Sequence, residues 1–540
     1  MWLASLFLWA EAGLYRPDGA GYYVYLPSTW LDHDLLFFNE WQRLGLIRNG
    51  IPMFKSATET NHLGNHWTVG PALLWYPLFV AADGERAILP SLRSLPRDGF
   101  VFPYNLAVVT ASAMAGLGVL LLGYRAARAW CSPGESAWAA IAVWFGTPLL
   151  WYSLRDAAMS HAVSAFGCAL VVVLSLRLRE KPAREAAFAV GLALGFAALV
   201  RIQNAALVLV PFLVLDREQR KLFLRSIGAF IAGGLLGVLP ELVVSTILYG
   251  KPLGFVSIGV RAIGWDPWTH FWAAETLFSW YHGLFTWTPL ALLAVIGLGA
   301  LWRYDRRLAS AALTTFAIQW IANASADRAF WSAMSFGARR FDNCAIFFLL
   351  GLAVLMKHRL MRVLAAACCV WTMLLFFVGR NVDLNAYQTF GELVRAIGPA
   401  LSKGIGLLMF VPERLRWTAA ASIAFCLLAS AILLAAFLTL PARLRSTVTA
   451  LYLAGMTAFL AWSGANGARR IDHYWPIIER SRAFAVVAGS EIGEQSLYEN
   501  EARYLRRCGR IEEATRTEKE LAALMQRRTA ALRAAGIQAP

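Results

Sequence analysis

The residues best equipped for chemistry are two acids and a set of arginines, far apart in the chain and each at the edge of an apolar run. The first acid stands in Arg16-Pro17-Asp18-Gly19-Ala20-Gly21-Tyr22-Tyr23, followed by Asp32-His33-Asp34 and Asn39-Glu40-Trp41. The second is Asp156, beside Arg155 and just before Met159-Ser160-His161. Arg201 precedes Gln203 and Asn204, His282 lies in Trp280-Tyr281-His282-Gly283, and Arg339 and Arg340 are adjacent. A carboxylate on a flexible turn can take a proton or orient an attacking group. The planar fork of arginine can grip phosphate oxygens two at a time. Each residue also has an ordinary reading: Pro-Asp-Gly makes a turn on its own account, and a lone boundary arginine snorkels toward water. Convergence marks a site, because ionisable groups at membrane depth are expensive and here they collect on one face.

That face exists only if the chain threads a bilayer. Of 540 residues, 58% are hydrophobic, with a mean hydropathy of +0.51, against about 45–50% apolar in soluble globular chains. Apolar residues are clustered, as in Asn105–Tyr124, Ser226–Tyr249, Trp287–Trp302, Phe341–Met356 and Met361–Val378. Runs of this kind approach the ~20 residues that carry a helix across ~30 Å of hydrocarbon. No strand alternation of the kind a membrane barrel needs recurs. The formal charge of +16 is dispersed in short Lys/Arg clusters between apolar runs, which marks cytoplasmic loops and gives no nucleic-acid stripe. The seven cysteines lie mostly in apolar runs, without ligand spacing, and read as small buried residues.

Placing the basic clusters on one side predicts an all-α polytopic membrane protein with about 11–13 transmembrane helices. Two choices are needed. Trp67–Ala82, with Pro71 and Pro77, becomes a re-entrant or interfacial segment. Ala186–Val200 and Ile202–Leu215 become two short spans that turn at Arg201-Ile202-Gln203-Asn204. The first apolar run, interrupted by Glu11, is short for a span and lacks a signal-peptide n-region, so the expectation is that part of a first helix precedes it. The membrane domain then covers 1–463, with a long first extracytoplasmic loop at 15–68. Outside with it lie the turn at Arg155–His161, the loop from Gly250 to Thr286, Asp327–Arg340 and Arg380–Arg416. Residues 464–540 form a polar helical tail, also outside, of one or two helical hairpins or a single tetratricopeptide-like repeat.

Several weaker signals have competing readings. His62 and His66 have the i, i+4 spacing of a metal pair on a helix, but the intervening Gly64-Asn65 points to loop histidines with ordinary hydrogen bonds. Asp32 and Asp34 can bind a divalent cation or close an Asx turn. Tryptophans 265, 268, 272, 280 and 287 suit a membrane-interface belt as well as sugar stacking. Tyr22 and Tyr23, next to Asp18, are better placed for substrate contact.

Taken in order, Asp18-Gly-x-Gly-Tyr-Tyr-x-Tyr-Leu, Gly70-Pro-Ala-Leu-Leu-Trp, Met159-Ser-His-Ala, Val200-Arg-x-Gln-Asn, His282-Gly-Leu-Phe-x-Trp-Thr-Pro and Phe336-Gly-Ala-Arg-Arg-Phe resemble bacterial integral-membrane glycosyltransferases of the GT-C superfamily. That group includes protein O-mannosyltransferases, the aminoarabinose transferase of lipid A and lipopolysaccharide core transferases. The resemblance covers roughly residues 1–460. It implies a GT-C-like bundle in the bacterial cytoplasmic (inner) membrane, with its active face extracytoplasmic, a polyprenyl-phosphate sugar as donor, and a glycan, lipid or protein as acceptor. By the same resemblance Asp18 acts at the acceptor, Asp156 takes the place of a recurrent second acid, and inversion needs one dominant carboxylate. Arg201, Arg339 and Arg340, with Arg155 behind them, then hold the leaving phosphate, and Tyr22, Tyr23, Glu40, His161, Gln203 and His282 contact substrate. Members differ over a divalent cation. The mannosyltransferase pattern has Asp-Glu where this chain has Asp18-Gly19, which leaves the acceptor open.

Two other classes compete. A transporter or flippase would show inverted halves and polar groups at mid-span, whereas here the halves do not repeat and the polar groups sit at loop edges. A polysaccharide polymerase or ligase would carry its dominant polar residues in a large late loop.

Overall fold

The computed structural model describes the chain except for residues 11–16, 49–50, 53–55, 255, 257–270, 326–335, 382–388, 403–414, 489–492 and 535–540. Trp265 and Trp268 fall outside the described residues. Helices dominate, and among the described residues the strands are one two-residue hairpin pairing Ile47–Arg48 with Ile51–Pro52. Among the described residues six helices are long and apolar enough to cross a membrane: Phe102–Ala127, His161–Glu180, Ile227–Tyr249, Arg359–Gly379, Arg416–Thr439 and Arg443–Ala468. The chain is a polytopic integral membrane protein.

The other apolar stretches of the expected 11–13-helix bundle are shorter or broken, and the reason is local. Where the sequence suggests one span, the backbone often forms two short helices in tandem. Pro133–Gly146 is followed by Leu149–Leu154, Leu284–Trp287 by Pro289–Leu301, and the 3-10 turn Arg339–Cys344 by Ala345–Leu355. Pro148 and Pro289 stand at two of these breaks, where proline cannot donate to the preceding turn. The Trp67–Ala82 segment, expected to be re-entrant or interfacial, is not one of these six helices, and its prolines do not break it. Gly70–Ile88 is one continuous helix of 19 residues, with Pro71 in its first turn and Pro77 accommodated inside. Proline costs nothing in the first turn, where its missing N–H has no helical partner.

The break at Arg201 falls where the sequence placed it. The Arg184–Val200 helix ends there, Arg201 is extended (φ −151°, ψ 121°), and the 3-10 segment Ile202–Val208 and helix Leu209–Val214 follow. A glycine seam fixes the height of that break. Gly191 and Gly195 lie so close to the Ile227–Tyr249 helix that an added Cβ would fall 1.9 Å from the Phe230 carbonyl oxygen and 2.2 Å from that of Gly234. A second seam pairs Gly297 with Gly351, where a Cβ would come within 2.2 Å of backbone oxygen. Small residues let helix backbones touch where lipid supplies no hydrophobic drive between them. The first seam sets the helix that delivers Arg201, and the second sets the helix that follows Arg339.

The first loop is folded against the C-terminal part of the chain. The Arg443–Ala468 helix runs five residues beyond the expected domain limit at 463. At its end Asn466 donates to the His33 carbonyl at 2.7 Å, and Arg470 donates to the Asp32 carbonyl at 2.6 Å and to Asp34 Oδ2 at 3.4 Å. Tyr474 stacks on Phe38 with ring centres 5.0 Å apart. Beyond it, Gly493–Arg507 and Ile511–Ala534 form a helical hairpin that turns at Gly509 (φ +75°). Arg506 and Glu518 close it with two 2.6 Å hydrogen bonds. Tyr504 from this hairpin packs among Trp272, Trp280 and Tyr281. Those rings are mostly buried, so the hairpin absorbs much of the aromatic surface that the sequence offered for sugar stacking.

Candidate active site

Asp18 lies in the short helix Pro17–Tyr23, on a backbone that approaches its neighbours closely. A Cβ on Gly21 would overlap the Trp67 ring at 2.0 Å, and Asn65 Nδ2 donates to the Gly21 carbonyl at 2.9 Å. Gly19 faces Ala158, whose Cβ would be 3.4 Å from its own. These contacts seat the first loop on the turn after Asp156 and aim Asp18 at Arg339. Arg339 NH1 lies 3.1 Å from Asp18 Oδ2, with side chains 10% and 37% exposed respectively. The cation is thus sunk in the protein while the carboxylate keeps an open side.

The Arg339–Arg340 segment is held from behind by aromatic rings. Phe336 stacks on Trp151 (4.6 Å, 8° between planes) and meets Trp287 edge-on at 5.8 Å. Tyr152 OH donates to the Phe336 carbonyl at 3.1 Å. Gly337 then takes a positive φ of +58°, a conformation that glycine adopts without strain, and the chain turns into the 3-10 segment that carries both arginines.

Arg201 joins from a third element. Its NH1 donates to Ser160 Oγ at 3.1 Å and lies 3.5 Å from His161 Nε2, while NH2 donates to Gln203 Oε1 at 3.3 Å. Gln203 in turn donates to the Arg340 carbonyl at 3.0 Å and to Gln319 Oε1 at 3.2 Å. Arg201 and Arg340 each lie within electrostatic reach of Arg339 and of Asp18. Tyr22 adds a phenol that hydrogen-bonds Ser160, and burial pushes its pKa up against the pull of the Arg201 charge, so it stays protonated. Three guanidinium groups therefore lie within electrostatic reach of Asp18, and two of them, Arg201 and Arg339, lie within reach of one further acid, Asp342, whose Oδ2 is 3.5 Å from His161 Nδ1.

The remaining sequence candidates have other surroundings. Asp156 is buried and accepts the Trp151 indole N–H at 2.7 Å. Arg155 lies over the Trp151 ring, 5.6 Å from its centre. Tyr23 is fully buried, edge-on to Phe79 with its hydroxyl on the Gly99 carbonyl, so it serves packing and offers no surface to a substrate. Its neighbour Tyr22 takes the site side. His282 is buried at φ +64° and stacked on Trp287 at 4.3 Å. Glu40 is buried, and its charged neighbours are Asp34 and Asp32. His62 Nδ1 contacts the Thr60 carbonyl at 2.9 Å, and His66 stacks on Trp67 at 4.1 Å, so the two rings have separate partners. Among the described residues no three His, Cys, Asp or Glu side chains gather as metal ligands.

Sequence reasoning missed Asp342 and Gln319. Asp342 stands at the start of an apolar run, and an acid at the mouth of such a run was the available signal. Gln319 lies mid-way along Arg306–Ala324 and announces itself only through its partner.

No protein-family model matches the chain, and no curated protein does. Among solved structures it is similar to ArnT from Cupriavidus metallidurans bound to undecaprenyl phosphate, at 15% identity over 90% of this chain and 77% of that one, with a TM-score of 0.43. Apo ArnT from the same organism gives 17% identity over the same shares, with a TM-score of 0.41. The archaeal oligosaccharyltransferase AglB from Archaeoglobus fulgidus, in complex with an inhibitory peptide and a dolichol-phosphate, gives 13% identity over 74% of this chain and 55% of that one, with a TM-score of 0.36. At this identity and superposition the likeness assigns no residue a role.

Proposed function

We propose that the protein transfers a sugar from a polyprenyl-phosphate-linked donor to an acceptor at the extracytoplasmic face of the bacterial cytoplasmic membrane. The observation that carries this reading is the sunken group of Arg201, Arg339 and Arg340 around the half-open carboxylate of Asp18. The motif resemblance supplies the donor class.

The charges follow the reaction. The three guanidiniums outnumber the Asp18 carboxylate that pairs with Arg339 and leave positive charge to meet a sugar phosphodiester. An acceptor hydroxyl or amine attacks the anomeric carbon and hands its proton to Asp18. The anomeric C–O bond breaks, its electron pair goes to the phosphate, and a lipid phosphate with one more negative charge departs. Protonation of Asp18 releases Arg339, so the excess positive charge rises by one as the phosphate charge does. Fixed cations at the point where charge develops are a large source of rate in a water-poor site. Arg201, Arg339 and Arg340 hold the phosphate. Tyr22 lies beside them for contact with the donor. Asp156, tied to Trp151, keeps the turn under Asp18 in shape.

The test uses the full chain in proteoliposomes with a labelled polyprenyl-phosphate sugar and a mixture of envelope glycan and lipid acceptors. Label moving covalently to an acceptor supports the reading. Label that accumulates across the bilayer on an unchanged lipid sugar overturns it in favour of a flippase.

A further inference from the structure

Just past Arg201, the side-chain amide of Gln203 is engaged at both ends by the protein itself. Arg201 NH2 donates to Gln203 Oε1 at 3.3 Å. Gln203 Nε2 donates to the Arg340 carbonyl at 3.0 Å and to Gln319 Oε1 at 3.2 Å. The amide can stand only this way round, because a guanidinium has donors alone and a carbonyl oxygen only accepts. Gln319, on the Arg306–Ala324 helix, gives its own Nε2 to the Gln203 carbonyl at 3.0 Å, so both ends of its amide go to one residue. At 1% exposure Gln319 is beyond the reach of a substrate. A second contact stands beside the first. Asn343 Nδ2 donates to Asn204 Oδ1 at 3.2 Å, while Asn204 Nδ2 donates to Ser164 Oγ at 2.8 Å and to the Ala197 carbonyl at 2.9 Å.

We propose that Gln203, backed by Gln319, is a positioning residue that holds Arg201 and Arg340 together for the donor phosphate, which rests on the function proposed above. Arg201, Arg339 and Arg340 lie within electrostatic reach of one another, and like charges push apart. The Gln203 amide ties the side chain of Arg201 to the backbone of Arg340 and opposes that repulsion before a donor arrives. Asn204 and Asn343 add a second tie between the same two 3-10 segments, Ile202–Val208 and Arg339–Cys344. Held at two points, the segments resist swivelling about either one. Cations gathered in advance need not be ordered by the ligand, and that raises affinity. Gln203, a candidate for substrate contact on sequence grounds, thus stands one step behind the substrate.

Gln203→Met keeps length and bulk but removes every hydrogen bond of the amide. The expected effect is a KM for the lipid sugar raised roughly tenfold with kcat nearly unchanged, the scale of a lost hydrogen bond to a charged group. Gln319→Met leaves the Arg201 and Arg340 contacts of Gln203 in place and removes only their backing. Its KM is expected to rise roughly threefold, the scale of a neutral hydrogen bond. The double variant should be no worse than Gln203→Met alone, because Gln319 acts through Gln203. Gln319→Met, the milder change, carries the test if Gln203→Met does not fold. Hydrogen exchange of the full chain in nanodiscs reads the tie without any donor. In both single variants the amides of residues 339–344 should exchange faster, although Gln319 lies on another helix.

Binding of polyprenyl phosphate to the same samples separates the outcomes. Weaker binding in both single variants, with no further loss in the double, is the expected result. A parent protein that binds it, with Gln319→Met binding equally well, overturns the positioning role, and so do additive losses in the double variant. A parent that binds no polyprenyl phosphate overturns the function proposed above. Faster exchange at 339–344 in Gln319→Met then leaves the tie between the segments standing, whereas unchanged exchange overturns the tie as well.

Discussion

Arg339 NH1 lies 3.1 Å from Asp18 Oδ2, joining the first loop to a segment more than three hundred residues later. In this state the carboxylate is engaged by the cation. On the function proposed above, a donor phosphate that competes for Arg339 would free Asp18 to take the acceptor proton, so the base would be armed by the substrate. Charge exchange tests this: Asp18→Arg combined with Arg339→Asp keeps an ion pair but destroys both roles. The expected outcome is a folded protein without transfer activity, measured by melting temperature and labelled-sugar transfer. Recovery of activity in the exchange variant counts against the account, since only a structural pair tolerates reversal.

Arg339→Lys keeps the charge and loses the fork. Lysine is a point charge that cannot bind two phosphate oxygens side by side. Donor affinity is expected to fall about tenfold or more, given the ~1.5–3 kcal/mol typical of a hydrogen bond to a charged group. Steady-state kinetics with varied donor checks this, and a lysine variant indistinguishable from the parent contradicts it.

Stability should fall as pH rises through the range where the first-loop acids ionise. Burial, then the charges of Asp34 and Asp32, holds the Glu40 carboxyl well above its usual range, and burial also raises Asp34. An acid whose folded pKa lies above its unfolded value binds more protons when folded. Its contribution is therefore best on the acid side and is lost between the unfolded and folded values. Glu40→Gln removes the titration while keeping the shape. The variant is expected to melt higher than the parent at about pH 8 and to show a smaller fall between about pH 5 and pH 8. An unchanged pH slope counts against Glu40 as its source.

The glycine seam beneath Arg201 should be intolerant of a single methyl group. At Gly195 an added Cβ lies 2.2 Å from the Gly234 carbonyl oxygen, and backbone cannot swing aside as a side chain can. Gly195→Ala is expected to cost about 1–3 kcal/mol. It should also lower donor affinity by shifting the end of the helix that delivers Arg201. Gly134 has nothing near it, so Gly134→Ala serves as the control and should change neither quantity. Equal melting temperatures for the two variants contradict the seam's role.

The helical membrane character was legible because apolar runs and basic clusters are statements about solvent, which act residue by residue. The break at Arg201 was legible too, since a cation amid apolar residues has to sit near an edge. The places where apolar stretches break were less so. Pro148 and Pro289 divide apolar stretches into tandem helices, and composition cannot show where such breaks fall. The continuous Gly70–Ile88 helix was hidden by Pro71 and Pro77, because a proline in the first turn has no effect and an interior one yields to packing. In the site, adjacent tyrosines at the end of a seven-residue helix face different ways, so Tyr22 reached the arginines while Tyr23 reached Gly99. Asp342 was missed because the groups it faces, His161 and Arg201 among them, lie far away in the chain.

The central claim, that Asp18 works at the acceptor beside a phosphate-holding arginine group, is tested most directly by Asp18→Asn and Asp18→Ala. Membranes bearing each full-length variant are supplied with labelled polyprenyl-phosphate sugar, and the label on acceptor is counted against the parent protein. The account predicts a loss of about 10²–10⁴-fold in both, the usual worth of a positioned acid or base, with lipid phosphate binding retained. Full transfer by both variants would contradict it.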